Sequence, residues 1–167
     1  MSYIGEKELT KEQHDWLNQW LELWGAWVYS GRIDIRMINM IYKFMQTVEP
    51  DKNPTRPMCN DDDGMLISQV VDSVVATDTQ AYGILLSYYA HGSSKLSIAS
   101  YYHGVAKPRK MQRRGGNRIR KPSLGTCRNE VDEKLKAAQW LLYEPLRTAM
   151  NNRKRVDKIR KITEFCY

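Results

Sequence analysis

Apolar residues in this chain recur at steps of three and four, and that spacing restricts most of it to helices. Thr10-Lys-Glu-Gln13 has the form of a capping box, in which a hydroxyl and an amide side chain satisfy the exposed N–H groups of a helix start. Behind it, Trp16, Leu17, Trp20, Leu21, Trp24, Trp27 and Val28 fall on one face, so the spacing predicts a helix ending near Ser30-Gly31. The same period runs through Met37, Ile38, Ile41, Phe44, Met45 and Val48, predicting a second helix that stops before Pro50. Three prolines between Pro50 and Asn60 mark a loop. Met65, Leu66, Val70, Val71, Val74 and Val75 predict a third helix, with a strand as the alternative because valine is abundant. Thr79–His91 reads as a fourth helix with Tyr82, Leu85, Leu86 and Tyr89 inward, and Leu96, Ile98, Ala99 and Tyr102 as a short fifth. Thr126 is the expected N-cap of a sixth, with Val131, Leu135, Ala138 and Leu142 inward and Pro145 kinking or ending it. The basic stretch from Asn151 to Tyr167 reads as a tail, or a final helix.

The charge is concentrated. Nine of the 26 Lys and Arg residues lie between Lys107 and Arg128 with no acidic residue among them, leaving 17 basic against 19 acidic elsewhere. The chain is therefore a near-neutral domain carrying one cationic insert, a distribution that points to a polyanionic partner. The stretch from Gly104 to Gly125, with its glycines, prolines and charge, reads as a loop or partly disordered arm. Cys59, Cys127 and Cys166 are widely separated, and a disulfide framework or zinc knuckle needs close pairs, so no metal or cofactor is expected. No apolar run approaches the roughly 20 residues of a membrane span, and no signal peptide is visible at the first residues, so the expected location is the cytosol.

Residues 84–144 read as helix, Gly-Ser-Ser turn, short helix, connection and longer helix, the order of a sigma-like helix-turn-helix. Arg128 and Asn129 fall just inside the last helix, and these side chains read guanine and adenine edges in the major groove. The expected DNA contacts are Lys95, Lys107, Arg109, Lys110, Arg113, Arg114, Asn117, Arg118, Arg120, Lys121, Arg128, Asn129 and Lys134. Fold class is thus all-α. A single DNA-binding domain spans residues 1–150, with the helix-turn-helix half interrupted by a basic arm over 104–125 and a basic tail over 151–167. Two other readings stay open: an RNA-binding arm, since arginine-rich segments also order on RNA, and a magnesium nuclease built on Asp61-Asp62-Asp63. Adjacent helical residues point about 100° apart, which favours the aspartate triplet as a helix-start feature rather than one ion's ligand set.

Three motifs carry a resemblance. Leu23-Trp24-Gly25-Ala26-Trp27 comes first, then Arg56-Pro57-Met58-Cys59-Asn60-Asp61-Asp62-Asp63-Gly64-Met65, then Tyr88-Tyr89-Ala90-His91-Gly92-Ser93-Ser94 leading into Ile98-Ala99. In that order the chain resembles the late-gene antitermination Q proteins of lambdoid phages, of the phage 21-like type. It departs from the simpler family pattern at Met58, which replaces a second cysteine beside Cys59, and in the Lys107–Lys121 insert. The resemblance implies a factor without an active site. Such a factor binds an element at a late promoter, engages host RNA polymerase and makes it resistant to pausing and termination. Duplex DNA and the polymerase are the implied partners, with nascent RNA and a second copy of the chain as further candidates.

Overall fold

A computed structural model of the chain describes residues 8–32, 56–113 and 116–164. Among these, five α-helices and one hairpin follow in order: α1 Lys11–Trp27, running into a π-helical turn Val28–Arg32; α2 Asp61–Val74; α3 Thr79–Tyr89; α4 Lys95–Val105; β1 Arg109–Arg113; β2 Gly116–Arg120; and α5 Leu124–Glu164. The helix expected over Met37–Val48 lies outside the described residues, as does most of the loop before Asn60.

Each helix begins where a side chain takes over the unpaired N–H groups. At α1 the capping box forms, Gln13 N donating to Thr10 Oγ1 at 3.3 Å and Thr10 N to Gln13 Oε1 at 3.0 Å. Asn60 caps α2, accepting from Asp63 N at 2.8 Å, and the three aspartates behind it complement the positive end of the helix dipole. Asp78 caps α3 and Ser94 caps α4. The long helix starts earlier than its sequence suggests. Ser123 Oγ accepts from Thr126 N at 3.2 Å, so Ser123 is the capping residue and Thr126 stands inside the first turn.

Leu17, Leu21, Trp24 and Trp27 of α1 are buried with Ile67 and Val71 of α2, Ile84, Leu85 and Tyr89 of α3, Ile98 of α4, and Leu135, Leu142 and Leu146 of α5. The valines of α2 are helical because Val70 and Val71 fill this core while Trp24 Nε1 donates to Ser68 Oγ at 2.9 Å, outweighing a modest strand preference. Trp16 and Trp20 pack at the rim of the same core. Tyr89 sits at its centre, its hydroxyl donating to Asn18 Oδ1 at 2.9 Å and accepting from Gln139 Nε2 at 2.7 Å.

Two expectations are corrected. The Gly104–Gly125 stretch is no loop: Arg109 to Arg113 pair antiparallel with Arg120 to Gly116. Without an apolar face of its own such a hairpin is marginal, and its root supplies the anchorage through half-buried Met111 and Arg120, buried Pro122 and an Arg109–Glu130 ion pair. Nor does Pro145 end the last helix, which continues to Glu164 and absorbs the basic tail. Leu141, four residues earlier, loses its helical N–H partner; both residues are exposed, so that carbonyl can be met by solvent.

The three sequence motifs meet at one place. Gly25 lies against the backbone of Tyr89 and Ala90 at the end of α3, where a Cβ would overlap the Tyr89 carbonyl. Gly64 lies against the Trp27 ring, and Trp27 Nε1 donates to Asp61 Oδ1 at 2.9 Å. Cys59 N donates to Leu23 O at 3.3 Å, stitching the segment before α2 to α1.

Asp78 adds a pH-dependent element. It accepts from Gln80 N and Ala81 N, both at 3.1 Å, and lies 3.6 Å from Lys134 Nζ. The Ala81 hydrogen bond is the largest of several effects holding its carboxyl below the ordinary range. A depressed carboxylate stabilises the fold above its unfolded pKa, and that contribution disappears as pH falls through the folded value. Asp78→Asn keeps a good cap but loses the charge. In urea titrations it should be less stable than wild type at about pH 6, with the gap closing as pH falls below the ordinary carboxylate range. An unchanged gap at low pH contradicts the assignment.

Candidate nucleic-acid interface

Five residues, Ala90 to Ser94, separate α3 from α4, the short connection of a helix-turn-helix. Gly92 has φ +72°, a left-handed conformation that side chains resist, and Ser94 begins α4 by accepting from Ser97 N at 3.1 Å. Behind the turn, Arg56 spreads its guanidinium over the C-terminal end of α3, donating to Tyr89 O at 2.9 Å and Ala90 O at 2.6 Å. Those carbonyls have no continuing helix to pair with, so the Arg56 fork caps α3 while its charge complements the negative helix end. The turn is thereby held by Gly25 on one side and Arg56 on the other.

Along the outer surface, Leu96 and Ser100 of α4 are exposed while Ile98 and Ala99 are buried. Lys107 follows α4, and Lys110, Arg118 and Lys121 are exposed on or beside the hairpin. Arg128 and Asn129 are exposed on the second turn of α5, within a few residues of Glu130, which holds Arg109 at the hairpin root. Cationic hairpin and leading end of α5 are thus tied together. Cys127, buried between them, has its thiol pushed up chiefly by burial.

Four residues expected at the interface also brace the fold. Lys95 Nζ donates to Asp132 Oδ1 at 2.7 Å, joining α4 to α5. Lys134 Nζ donates to Gln80 Oε1 at 2.6 Å and pairs with Asp78, joining α5 to α3. Arg109 is committed to Glu130, and Arg120 is half-buried on the facing strand position. Arg113 and Asn117 are described by their backbone pairing alone, and Arg114 lies outside the described residues.

On α4 the sequence reading named Lys95 alone; beside it Ser100 is exposed and Ser97 and Tyr101 are half-buried. The short turn is the signal that singles out α4, since the second helix of a helix-turn-helix presents its N-terminal residues to a groove.

The acidic triplet is engaged elsewhere. Asp61 accepts from Trp27, Asp63 pairs with Arg153 of α5, and Asp62 lies 3.8 Å from the same guanidinium. Among the described residues no group of three His, Cys, Asp or Glu is placed to hold a metal ion, and no helix is long and apolar enough to cross a membrane.

The family profile described as Phage antitermination protein Q matches residues 14–117, more than half of the chain. Antitermination protein Q of Escherichia phage 933W is 29% identical over 83 residues, 50% of this chain and 57% of the relative. The prophage antitermination protein Q homolog QuuD of Escherichia coli (strain K12) is 29% identical over 79 residues, 47% of this chain and 61% of the relative. The chain thus spans less than two thirds of these curated relatives. The match to solved structures is broader. Transcription antitermination factor Q21 is 68% identical, with a TM-score of 0.78 over 89% of this chain and 99% of that one. A structure of the same factor in complex with Q21-binding-element DNA gives 70% identity and a TM-score of 0.79 over the same shares. On this match, which runs from within α1 to the first residues of β2, the chain belongs to the phage antitermination protein Q family.

Proposed function

We propose that this chain is a phage transcription antitermination factor. In this reading it binds a promoter-associated DNA element, engages host RNA polymerase in the host cytoplasm, and acts by binding rather than catalysis. The observation carrying it is the Arg109–Glu130 pair, which joins a cationic hairpin to the exposed leading end of α5. Phosphate-neutralising and base-reading chemistry then lie on adjoining elements. The name and DNA complex of the similar Q21 factor support the same reading.

Within it, α4 and the head of α5 face the groove, with Ser97, Ser100 and Tyr101 joining Arg128 and Asn129 as base or sugar contacts. Lys107, Lys110, Arg113, Arg114, Asn117, Arg118 and Lys121 take the phosphates, supplying sequence-independent affinity. Lys95, Arg109, Arg120 and Lys134 hold the reading elements in place while adding to the positive field.

The test is in vitro transcription from a template carrying a late-promoter element and a downstream terminator. Added protein should raise read-through only when the element is present. Unchanged read-through, or tighter binding to hairpin RNA than to the duplex element, overturns the proposal.

A further inference from the structure

The last helix has two unlike faces. Toward the core it presents Cys127, Val131, Leu135, Leu142, Leu146 and Met150. Beyond Arg153, which reaches Asp63 on α2, every residue from Lys154 to Glu164 is exposed, so the helix projects past the body. On the outer side, an uncharged strip runs from Leu141 through Thr148, Asn152, Val156 and Ile159 to Thr163, all exposed. At 3.6 residues per turn, Ile159 lies half a turn from the direction of Met150. Val156, Ile159 and Ile162 are 49%, 63% and 58% exposed. β-branched residues are mediocre helix formers, and a solvated helix gains nothing from three of them. Their placement is that of a surface made to be covered.

The flanking charge selects the occupant. Between Lys154 and Glu164 stand five basic residues and two acidic ones, in a chain whose net charge is +7. A second copy would bring like charge against like. Phosphates would engage the lysines and arginines but leave Val156, Ile159 and Ile162 uncovered. An apolar groove rimmed by carboxylates on a partner protein satisfies both, in the way amphipathic helices dock. From Arg128 to Ile159 the helix rises about 45 Å, so one continuous element separates the DNA-facing end from the projecting end. We infer that the projecting end of α5 is a protein-docking helix whose strip of Val156, Ile159 and Ile162 enters an acid-rimmed apolar groove of the host RNA polymerase. This rests on the reading of polymerase as the partner and specifies the contact.

Val156→Gln/Ile159→Gln in the full chain keeps the charge and does not lower helix propensity while removing the apolar strip. Binding to core RNA polymerase should weaken by about tenfold or more, and should weaken with added salt in wild type. Affinity for the DNA element, the melting temperature and the sedimentation coefficient should stay at wild-type values. Equal polymerase affinity for wild type and variant overturns the inference while leaving the polymerase reading intact. Wild-type protein that does not bind polymerase overturns both. An equal loss of DNA affinity assigns the strip to nucleic acid, and a wild-type dimer that the variant dissociates assigns it to a second copy; either result also overturns it.

Discussion

Replacing Gly25 with alanine is expected to cost about 3 kcal/mol or more of folding stability, among the largest effects any single methyl group could have in this protein. The added Cβ overlaps the carbonyl of Tyr89 and approaches Ala90 N, and these are backbone atoms rather than the yielding end of a side chain. Relief requires α1 and α3 to separate. That movement opens the seat of Trp24 and Tyr89, both essentially fully buried, and draws Tyr89 O and Ala90 O away from Arg56. The damage should therefore reach the helix-turn-helix, although Gly25 is itself buried in the core. Urea denaturation measures the loss, and Gly104→Ala is the control. Gly104 is an exposed helical position with open space around its Cα, so alanine there should be neutral or stabilising by up to about 1 kcal/mol. Similar midpoints for the two variants would contradict the close crossing of α1 and α3.

The second large effect belongs to the hairpin. Lys110→Ala/Arg118→Ala removes two exposed cations without touching the Arg109–Glu130 root. At about 1 kcal/mol per lost phosphate contact, DNA affinity should drop by roughly thirtyfold at moderate salt, equally on cognate and scrambled duplexes. The dependence of log affinity on log salt should become shallower by about 1.8. Arg128→Ala should behave differently, losing about 1–3 kcal/mol on the cognate element and much less on scrambled DNA. Paired titrations on both duplexes decide it. Identical profiles for the hairpin variant and Arg128→Ala remove the division between phosphate contacts and base readers.

Helical content was readable from the chain because each helix has both a period and a start signal. Thr10 with Gln13 and the tryptophan stripe define α1 unambiguously, and the structure reproduces both bonds of the box. The cationic hairpin was hidden. Its strands carry one isoleucine and one methionine, so no alternation of apolar and polar residues marks them. Gly115-Gly116 signals a tight turn as readily as flexibility, and the pairing of the strands on either side, tied to α5 through Arg109, was not visible along the chain. The start of α5 slipped for a related reason. Ser123 and Thr126 are both competent caps, and their three-residue separation lets either begin the helix. The Pro145 expectation rested on local chemistry, whereas buried Leu142, Leu146 and Met150 carry the helix past it.

The candidate site divides in the same way. Position along the chain located the charge but not which cations already have partners, and Lys95, Arg109 and Lys134 prove to be bound to Asp132, Glu130 and Gln80. By themselves the residues determined the helical class, the concentration of positive charge in one insert and a basic C-terminal stretch, and the likeness to the Q family. Periodicity and composition are properties of neighbours along the chain, so they need no fold to be seen. Tertiary structure alone decided that Gly25, Arg56 and the turn at Gly92 are one device, and that Arg109 fastens the hairpin to α5. It also decided that the helix outruns the body that anchors it. These depend on which distant segments touch, a choice made by packing across the whole core.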